Sequence, residues 1–436
     1  MKNTQKFLFP ALFVCGFTFG QTKFSDFIVS YSVNPQIQYI NHTRSDADSF
    51  YTNFRDIDDY LHDSKRRPLA EVYLEKQYQN GWSISAELGV RLSWLKMEET
   101  LRTPERVKDI NYHFNRRGYI QKEGGNYRVK FGRDYLIWDA DRTGTILSDN
   151  MPPLDHLRFD IWGDRWLYHS FIIDADTREV IPNAGGYEKN IVGHRVEFTI
   201  GNYWKLIAGE MVSISRRLTL AELNPFLLLY HNREPAASTH NVITMVGVQK
   251  QLLNGATIFA QLDIDEMDTD KIDLEWRKDV NNTRPFVHGF QTGFASKKFS
   301  AVYTQTSPHL YQHYSDNNAD FVLVYSRPMD GNKYFNRFMG YPLGGGVKSV
   351  ELIVGKKHSC SVQYRWVEQT PNAFFVDNSI GGINARHRLV LEWEKPLKYN
   401  LLVFTNAVLE HHSNYRFNGN DRIVTEALIG VVWEWR

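Results

Sequence analysis

Residues 82–95 read WSISAELGVRLSWL, from Trp82 to Leu95. Trp82, Ile84, Ala86, Leu88, Val90, Leu92 and Trp94 fall on one side. Ser83, Ser85, Glu87, Gly89, Arg91, Ser93 and Leu95 fall on the other. Strict period-two alternation defines a strand with one apolar and one polar face. The run exceeds the common strand of about 5–6 residues and matches the roughly 9–11 tilted residues that cross an outer membrane.

The pattern recurs along the chain. Val196, Phe198 and Ile200 alternate with Arg195, Glu197 and Thr199; Ile258, Ala260, Leu262 and Ile264 alternate with Thr257, Phe259, Gln261 and Asp263. Val362, Tyr364 and Trp366 alternate with Ser361, Gln363 and Arg365. His387, Leu389, Leu391 and Trp393 alternate with Arg386, Arg388 and Glu392, Val390 being the exception. Further strands are expected over 127–138, 156–162, 166–173, 204–213, 242–251, 286–295, 299–306, 347–356 and 399–411.

Charges in mid-strand fit two architectures. In a soluble sandwich the polar face meets water and two apolar faces meet each other. In a membrane barrel the polar face lines a wet lumen and the apolar face meets lipid. Strand length favours the barrel, and so do aromatic residues at strand ends, which suit an interfacial girdle. The 23 Tyr, 27 Phe and 11 Trp make 14% of the chain. The last residues, 422–436, carry Ala427, Ile429, Val431, Trp433 and Trp435 on one face. This resembles the closing strand that the barrel-assembly machinery recognises, although Arg436 and not an aromatic is last. A closed barrel also removes the open edges that lipid does not tolerate. The expected fold is all-β: a transmembrane antiparallel barrel of about 16–18 strands with a small helical or plug element.

Composition narrows the function classes. The 436 residues carry 51 Lys plus Arg against 50 Asp plus Glu, a formal charge of +1. Such a balance gives no electrostatic footprint for nucleic acid. Mean hydropathy is −0.44, and no apolar run of about 18 residues occurs, which excludes a polytopic helical transporter.

Residues 1–20 read as a secretory signal: Lys2 and Lys6, then an apolar stretch from Phe7, with Thr18 and Gly20 before a cut at Gln21. Its removal takes the chain from +1 to −1. Val14 before Cys15 argues against a lipoprotein. Cys360 then stands alone, so no internal disulfide is expected. Residues 21–66 are expected to be an irregular or plug segment, with Phe54, Ile57, Tyr60 and Leu61 at helical spacing. The barrel is expected over 67–436. Residues 98–115 read as loop more than strand, and Gly344–Gly346 as a turn.

No catalytic or cofactor constellation emerges. His411, His412 and Ser413 are adjacent, so on a strand they face opposite sides. Asp263, Asp265, Glu266, Asp268 and Asp270 lack the glycine and terminal glutamate of a calcium loop. They read as a solvated acidic tip. No enzyme, metal or cofactor is expected.

Two segments exceed generic loop chemistry. The first runs from Gly132, Arg133 and Asp134 through Ser148, Asp149, Asn150, Met151, Pro152, Pro153, Leu154 and Asp155. Neither proline has an N–H to donate, so the pair cannot sit in a central strand. The second, LTLAELNPFLLLY from Leu218, places Glu222 before a break at Asn224-Pro225.

With "FGRDYLIWD", "LSDNMPPLDHLRF", "GHRVEFTIGNYWKLIAGE" and "LAELNPFLLLYHN", residues 120–436 resemble the capsule assembly protein Wzi family in its Bacteroidetes-like form. The resemblance implies a monomeric outer-membrane barrel of about eighteen strands with a small helical part. It also implies a non-enzymatic, lectin-like role in holding capsular or other surface polysaccharide. Lipid, lipopolysaccharide and the barrel-assembly machinery are the other partners expected.

Sugars are bound by aromatic faces and planar polar side chains. Candidates are Tyr311, Tyr314, Asn317, Asn318, Tyr334 and Arg337, with Phe335 and Tyr341 nearby. The motif residues Gly132, Arg133, Ser148, Asn150, Pro152, Pro153, Asp155, Glu222, Asn224 and Pro225 are expected to be mainly architectural. A porin or uptake channel is the competing function, supported by Arg and Glu on the lumen face. A barrel hydrolase is a third.

Overall fold

A computed structural model describes residues 28–33, 36–40, 70–92, 110–136, 138, 144–148, 151, 153–175, 189–219, 222–224, 226, 240–266, 287–311, 322–326, 334–356, 359–370, 382–415 and 420–435. The signal segment and the helical stretch expected near residues 54–61 lie outside them.

The strands are β1 (Ile28–Val33), β2 (Gln36–Ile40), β3 (Ala70–Gln77), β4 (Trp82–Leu92), β5 (Ile110–Glu123), β6 (Tyr127–Asp134) and β7 (Leu154–Trp162). They continue with β8 (Trp166–Asp174), β9 (Asn190–Ile200), β10 (Trp204–Ile214), β11 (His240–Gln251), β12 (Thr257–Glu266), β13 (Val287–Ala295) and β14 (Phe299–Thr306). After a separate hairpin, β15 (Val322–Ser326) and β16 (Tyr334–Phe338), come β17 (Val347–Lys356), β18 (Cys360–Gln369), β19 (Asn384–Pro396), β20 (Leu401–Tyr415) and β21 (Asn420–Trp435).

Each barrel strand pairs antiparallel with its neighbours. The ring closes because β1 and β2 run in succession along β21, Val33 opposite Trp433 and Gln36 opposite Gly430, while β1 also pairs with β3. Counting the interrupted β1–β2 as one stave gives a closed 18-strand barrel. Residues 28–33 and 36–40 are therefore wall, which corrects the reading of 21–66 as wholly irregular. Residues 110–115, expected as loop, belong to β5.

The two faces sort as the alternation predicts. On β4, Leu88 is 50% exposed, whereas Ser85 and Glu87 are buried. Leu389, Leu409, Ile429 and Trp433 stand on the outside. Inside, Glu351, Arg365, Arg388 and Glu410 lie directly opposite one another across β17–β20. All four are buried, and the outer glutamates pair with the arginines they flank: Arg365 with Glu351, and Arg388 Nε with Glu410 at 3.6 Å.

The ends differ. Turns of three to five residues join β3–β4, β5–β6, β7–β8, β9–β10, β11–β12, β13–β14, β17–β18 and β19–β20. All long connections leave from the opposite end. In bacterial barrels short turns face the periplasm and long loops the exterior. Near the short-turn end, Lys76 lies 4.9 Å from the centroid of Tyr78, Lys122 5.6 Å from Trp82 and Lys250 4.8 Å from Trp204. Aromatic rings with snorkelling lysines are the usual furnishing of a lipid interface.

Candidate functional site

Three of the long connections turn into the barrel. Residues 144–148, 307–311 and 339–346 meet there, and their apolar side chains form the main core. Ile146 and Leu147 come from the first, Leu310 and Tyr311 from the second, and Met339, Tyr341 and Leu343 from the third. They pack against Phe171, Ile191, Met211 and Ile243 of the wall. Trp138 meets Phe171 edge-to-face at 4.8 Å.

Hydrogen bonds interlock these segments. The Tyr311 hydroxyl donates to the Thr145 carbonyl (2.5 Å) and accepts the Tyr341 N–H (2.9 Å). Ser148 donates its N–H to the Met339 carbonyl and its hydroxyl, at 2.8 Å, to that of Gly340. A Cβ at Gly340 would overlap the Thr145 carbonyl oxygen. The wall holds the assembly in turn. The Tyr311 N–H donates to Asp265 at 2.7 Å, Thr145 Oγ1 donates to Asp263, and Gln369 Nε2 donates to the Leu343 carbonyl at 2.9 Å. Gly344 and Gly346 have φ of 77° and 76°, a conformation open to glycine, so their run is the expected turn. It is also buried.

This arrangement relocates several predicted residues. Tyr311 and Tyr341 are 0% and 2% exposed; they are joists of the plug, and neither presents a ring at an outer surface. Asp263 and Asp265 are not a solvated tip. They point inward from β12 at 0% and 4% exposure, where loop N–H and O–H donors need acceptors. Tyr334 and Arg337 lie on β16, opposite Ser326 and Leu323 of β15. Tyr314, Asn317, Asn318, Asn150, Pro152 and Pro225 lie outside the described residues.

The remaining motif residues shape the wall and its rim. Gly132, at φ 128°, lets the backbone of Gly118 and Tyr119 pass where a Cβ would overlap. Arg133 and Asp155 are opposite one another on the outer face and form a two-pronged ion pair. Pro153 precedes β7, and Ser148 is the interlocking residue already described. After β10 the chain folds over the outside: Phe226 lies 5.6 Å from Tyr168 and 6.3 Å from Phe159. Glu222 anchors that strap through Arg216, His240 and the Thr219 N–H. Burial alone would raise the Glu222 carboxyl. These three partners outweigh it and hold the group below its ordinary value. Asn224 accepts the Phe226 N–H at 3.0 Å. His240, whose Nε2 lies 3.1 Å from a Glu222 oxygen, belongs to this strap site.

Below the plug, over β3–β10, the inward face is polar. Side-chain exposure is 6% at Asp134, 7% at Glu197, 12% at Lys130 and 27% at Arg117, and it reaches 34% at Arg128 and 49% at Glu123. Asp134 accepts from Lys130 (2.6 Å) and Arg117 (2.7 Å); Asp160 accepts from Arg158 (2.8 Å). Among the described residues no group of three or more metal-ligating side chains occurs.

Among solved structures, the fold is similar to Wzi of Escherichia coli, an outer-membrane protein involved in group 1 capsule assembly and described as a carbohydrate-binding β-barrel. The TM-score is 0.54 at 12% identity, over 93% of this chain and 84% of that one. This chain has the closed antiparallel fold of outer-membrane β-barrels. OccK5 of Pseudomonas aeruginosa aligns at TM-score 0.48 and 9% identity over 95% of this chain and 99% of that one. An anion-selective porin of Comamonas acidovorans aligns at 0.42 and 9% over 94% and 99%. No family model and no curated protein sequence matches.

Proposed function

We propose that this barrel is a closed outer-membrane protein that holds surface polysaccharide through its long loops, without chemistry. The observation that carries the reading is the interlocked apolar plug in the half of the lumen nearest those loops. An uptake channel needs a wet constriction there, lined by side chains that face water. Here Ile146, Leu147, Leu310 and Tyr311 are each 0% exposed, and the carbonyls between them are bonded to one another's donors. The fold similarity to a carbohydrate-binding barrel supports the same reading. Tyr314, Asn317, Asn318, Tyr334 and Arg337 are the glycan contacts we propose. Tyr311 is set aside, because its ring and hydroxyl are already used inside.

Two measurements test the reading together. A deletion strain with normal polysaccharide synthesis should shed the polymer into the medium, and the purified protein should be nearly silent in planar bilayers. Cell-bound polymer at the parental level, with stepwise channel openings, would replace the holding role by a porin.

A further inference from the structure

The outside of the barrel is not uniform. On β21 the outward residues from Trp433 up to Ile423 carry no charge, and Trp433, Ile429 and Ile423 are exposed. Ten residues at about 3.4 Å each, tilted by about 40°, span about 26 Å, the height of an outer-membrane apolar band. That sector is built for lipid.

The sector over β6–β10 is not. The strap descends over it: Leu218 packs on Val192, Val212, Ile214 and Val242, and Phe226 packs on Tyr168 and Phe159. Phe159 stands three residues from Trp162 at the short turn, which places it about 8 Å into the band. The described strap residues, 215–219, 222–224 and 226, are neither helix nor strand. Asn224 is exposed, and Phe226, whose N–H it accepts, is 65% exposed. Irregular backbone and a polar amide persist at membrane depth where protein covers them, not where they meet acyl chains.

Two further observations mark the same sector. Ser170, His194 and Glu210 face outward, one opposite the next across β8–β10, yet are buried, with His194 Nδ1 3.1 Å from Glu210. Beside them, and beyond Phe159 on the same face of β7, Asp155 pairs with Arg133; their side chains are 52% and 42% exposed. Arg133 lies six residues along β6 from Tyr127 at the short turn, about 16 Å up and still inside the band. Exposed charges at that height are costly against lipid.

We propose that this sector is a subunit interface, covered by a second copy of this chain across a two-fold axis along the membrane normal. Insertion fixes which end of the barrel is up, so two copies meet through one shared patch only about such an axis. The axis sets each depth against itself, strap against strap and ion pair against ion pair. Passing between Arg133 and Asp155, it brings each Arg133 against Asp155 of the partner subunit, so the patch is self-complementary in charge. The pairing departs from the monomer that the family resemblance implies, and it does not depend on the surface-holding role.

The test uses the full-length chain in cells that express two differently tagged copies. The photo-reactive residue p-benzoylphenylalanine is placed at Leu157, which faces outward between Asp155 and Phe159 at 43% exposure, or at Ile429, 55% exposed on the lipid sector. Irradiation should give a product carrying both tags from position 157 and none from position 429. Arg133→Asp, with the probe at 157, should lower the linked fraction of folded barrels about tenfold or more, because like charges then face each other at two symmetric places. Arg133→Asp combined with Asp155→Arg should restore it. Heat-modifiable migration on gels counts the folded barrels in each case. Adducts at 157 with lipid or with another protein alone, equal linking from both positions, an unchanged yield in folded Arg133→Asp, or no recovery in the exchanged pair would each overturn the proposal. Shedding of surface polymer is read separately, so failure of the holding role leaves these outcomes unaffected.

Discussion

Replacing Tyr311 by Phe removes one oxygen from the centre of the plug and leaves the ring in its apolar packing. That oxygen serves two groups: it donates to the Thr145 carbonyl and accepts the Tyr341 N–H. Both partners sit where water does not reach, and each stranded group costs about 1–3 kcal/mol. The closed plug should therefore lose about 2–6 kcal/mol relative to an opened one. At 1.4 kcal/mol per factor of ten, the open-to-closed ratio rises about thirtyfold at the low end and about ten-thousandfold or more at the high end. The φ of 76° at Tyr311 adds leverage. A non-glycine residue there carries roughly 1–2 kcal/mol of strain, which the Asp265 acceptor on its N–H offsets only while the segment stays docked. The Phe variant keeps the N–H that Asp265 of the wall accepts, so heat-modifiability should be unchanged. Limited proteolysis of residues 307–346 should accelerate, and bilayer recordings should show noisy openings absent from the parent. If the Phe variant matches the parent in both, the hydroxyl is not a keystone and the plug is held by packing alone.

Other outcomes follow from the wall and the strap. Leu88→Arg, on the 50% exposed outer face, should cost about 2–4 kcal/mol if near the bilayer midplane. Ser83→Arg, on the inward face of the same strand, should cost much less when unfolding is followed by urea titration in vesicles. Gly132→Ala forces a Cβ into the Gly118 carbonyl at φ 128° and should lower the folded fraction, whereas Gly118→Ala, with no atom within 4 Å of the new carbon, should be tolerated. Glu222, held below its ordinary value by Thr219, His240 and Arg216 against burial, contributes to strap docking at every pH above the ordinary carboxylate range. That contribution is lost as pH falls through the lowered value. Protease resistance of the strap should persist down to about pH 5 and fail only below it, while Glu222→Gln weakens it at all pH values.

The wall was legible because a membrane barrel writes each strand independently. Alternation of Leu88 with Glu87, or of Leu389 with Arg388, needs no knowledge of the neighbour, since lipid and lumen impose it on every stave. Strands that departed from the pattern were missed for physical reasons. β1 and β2 are short, with Pro35 between them in the sequence, and β5 carries Asn111, His113, Asn115, Arg116 and Arg117 in near succession, which reads as loop until its ladder with β4 supplies the pairing. β3 is charged on both faces near Glu75 and Lys76.

The plug was not legible, because alternation tells which side a residue faces and not what it meets there. Asp263, Gln261 and Arg365 have the same sequence signature, polar and on the inward face. Arg365 meets Glu351 one strand away; Asp263 and Gln261 meet Thr145, more than a hundred residues earlier. An acidic residue at the lumen end of a strand fits water, a cation or a folded-back loop equally well, and only the loop's own donors decide among them. A loop that turns inward must find acceptors for its N–H groups at its destination, so buried carboxylates at the ends of barrel strands mark where loops land. Tyr311 carries the same lesson from the other partner. An aromatic ring with a hydroxyl, in a long connection beside histidines and asparagines, looks like a sugar platform; one N–H to Asp265 and one O–H to Thr145 turn the same residue into a structural bolt.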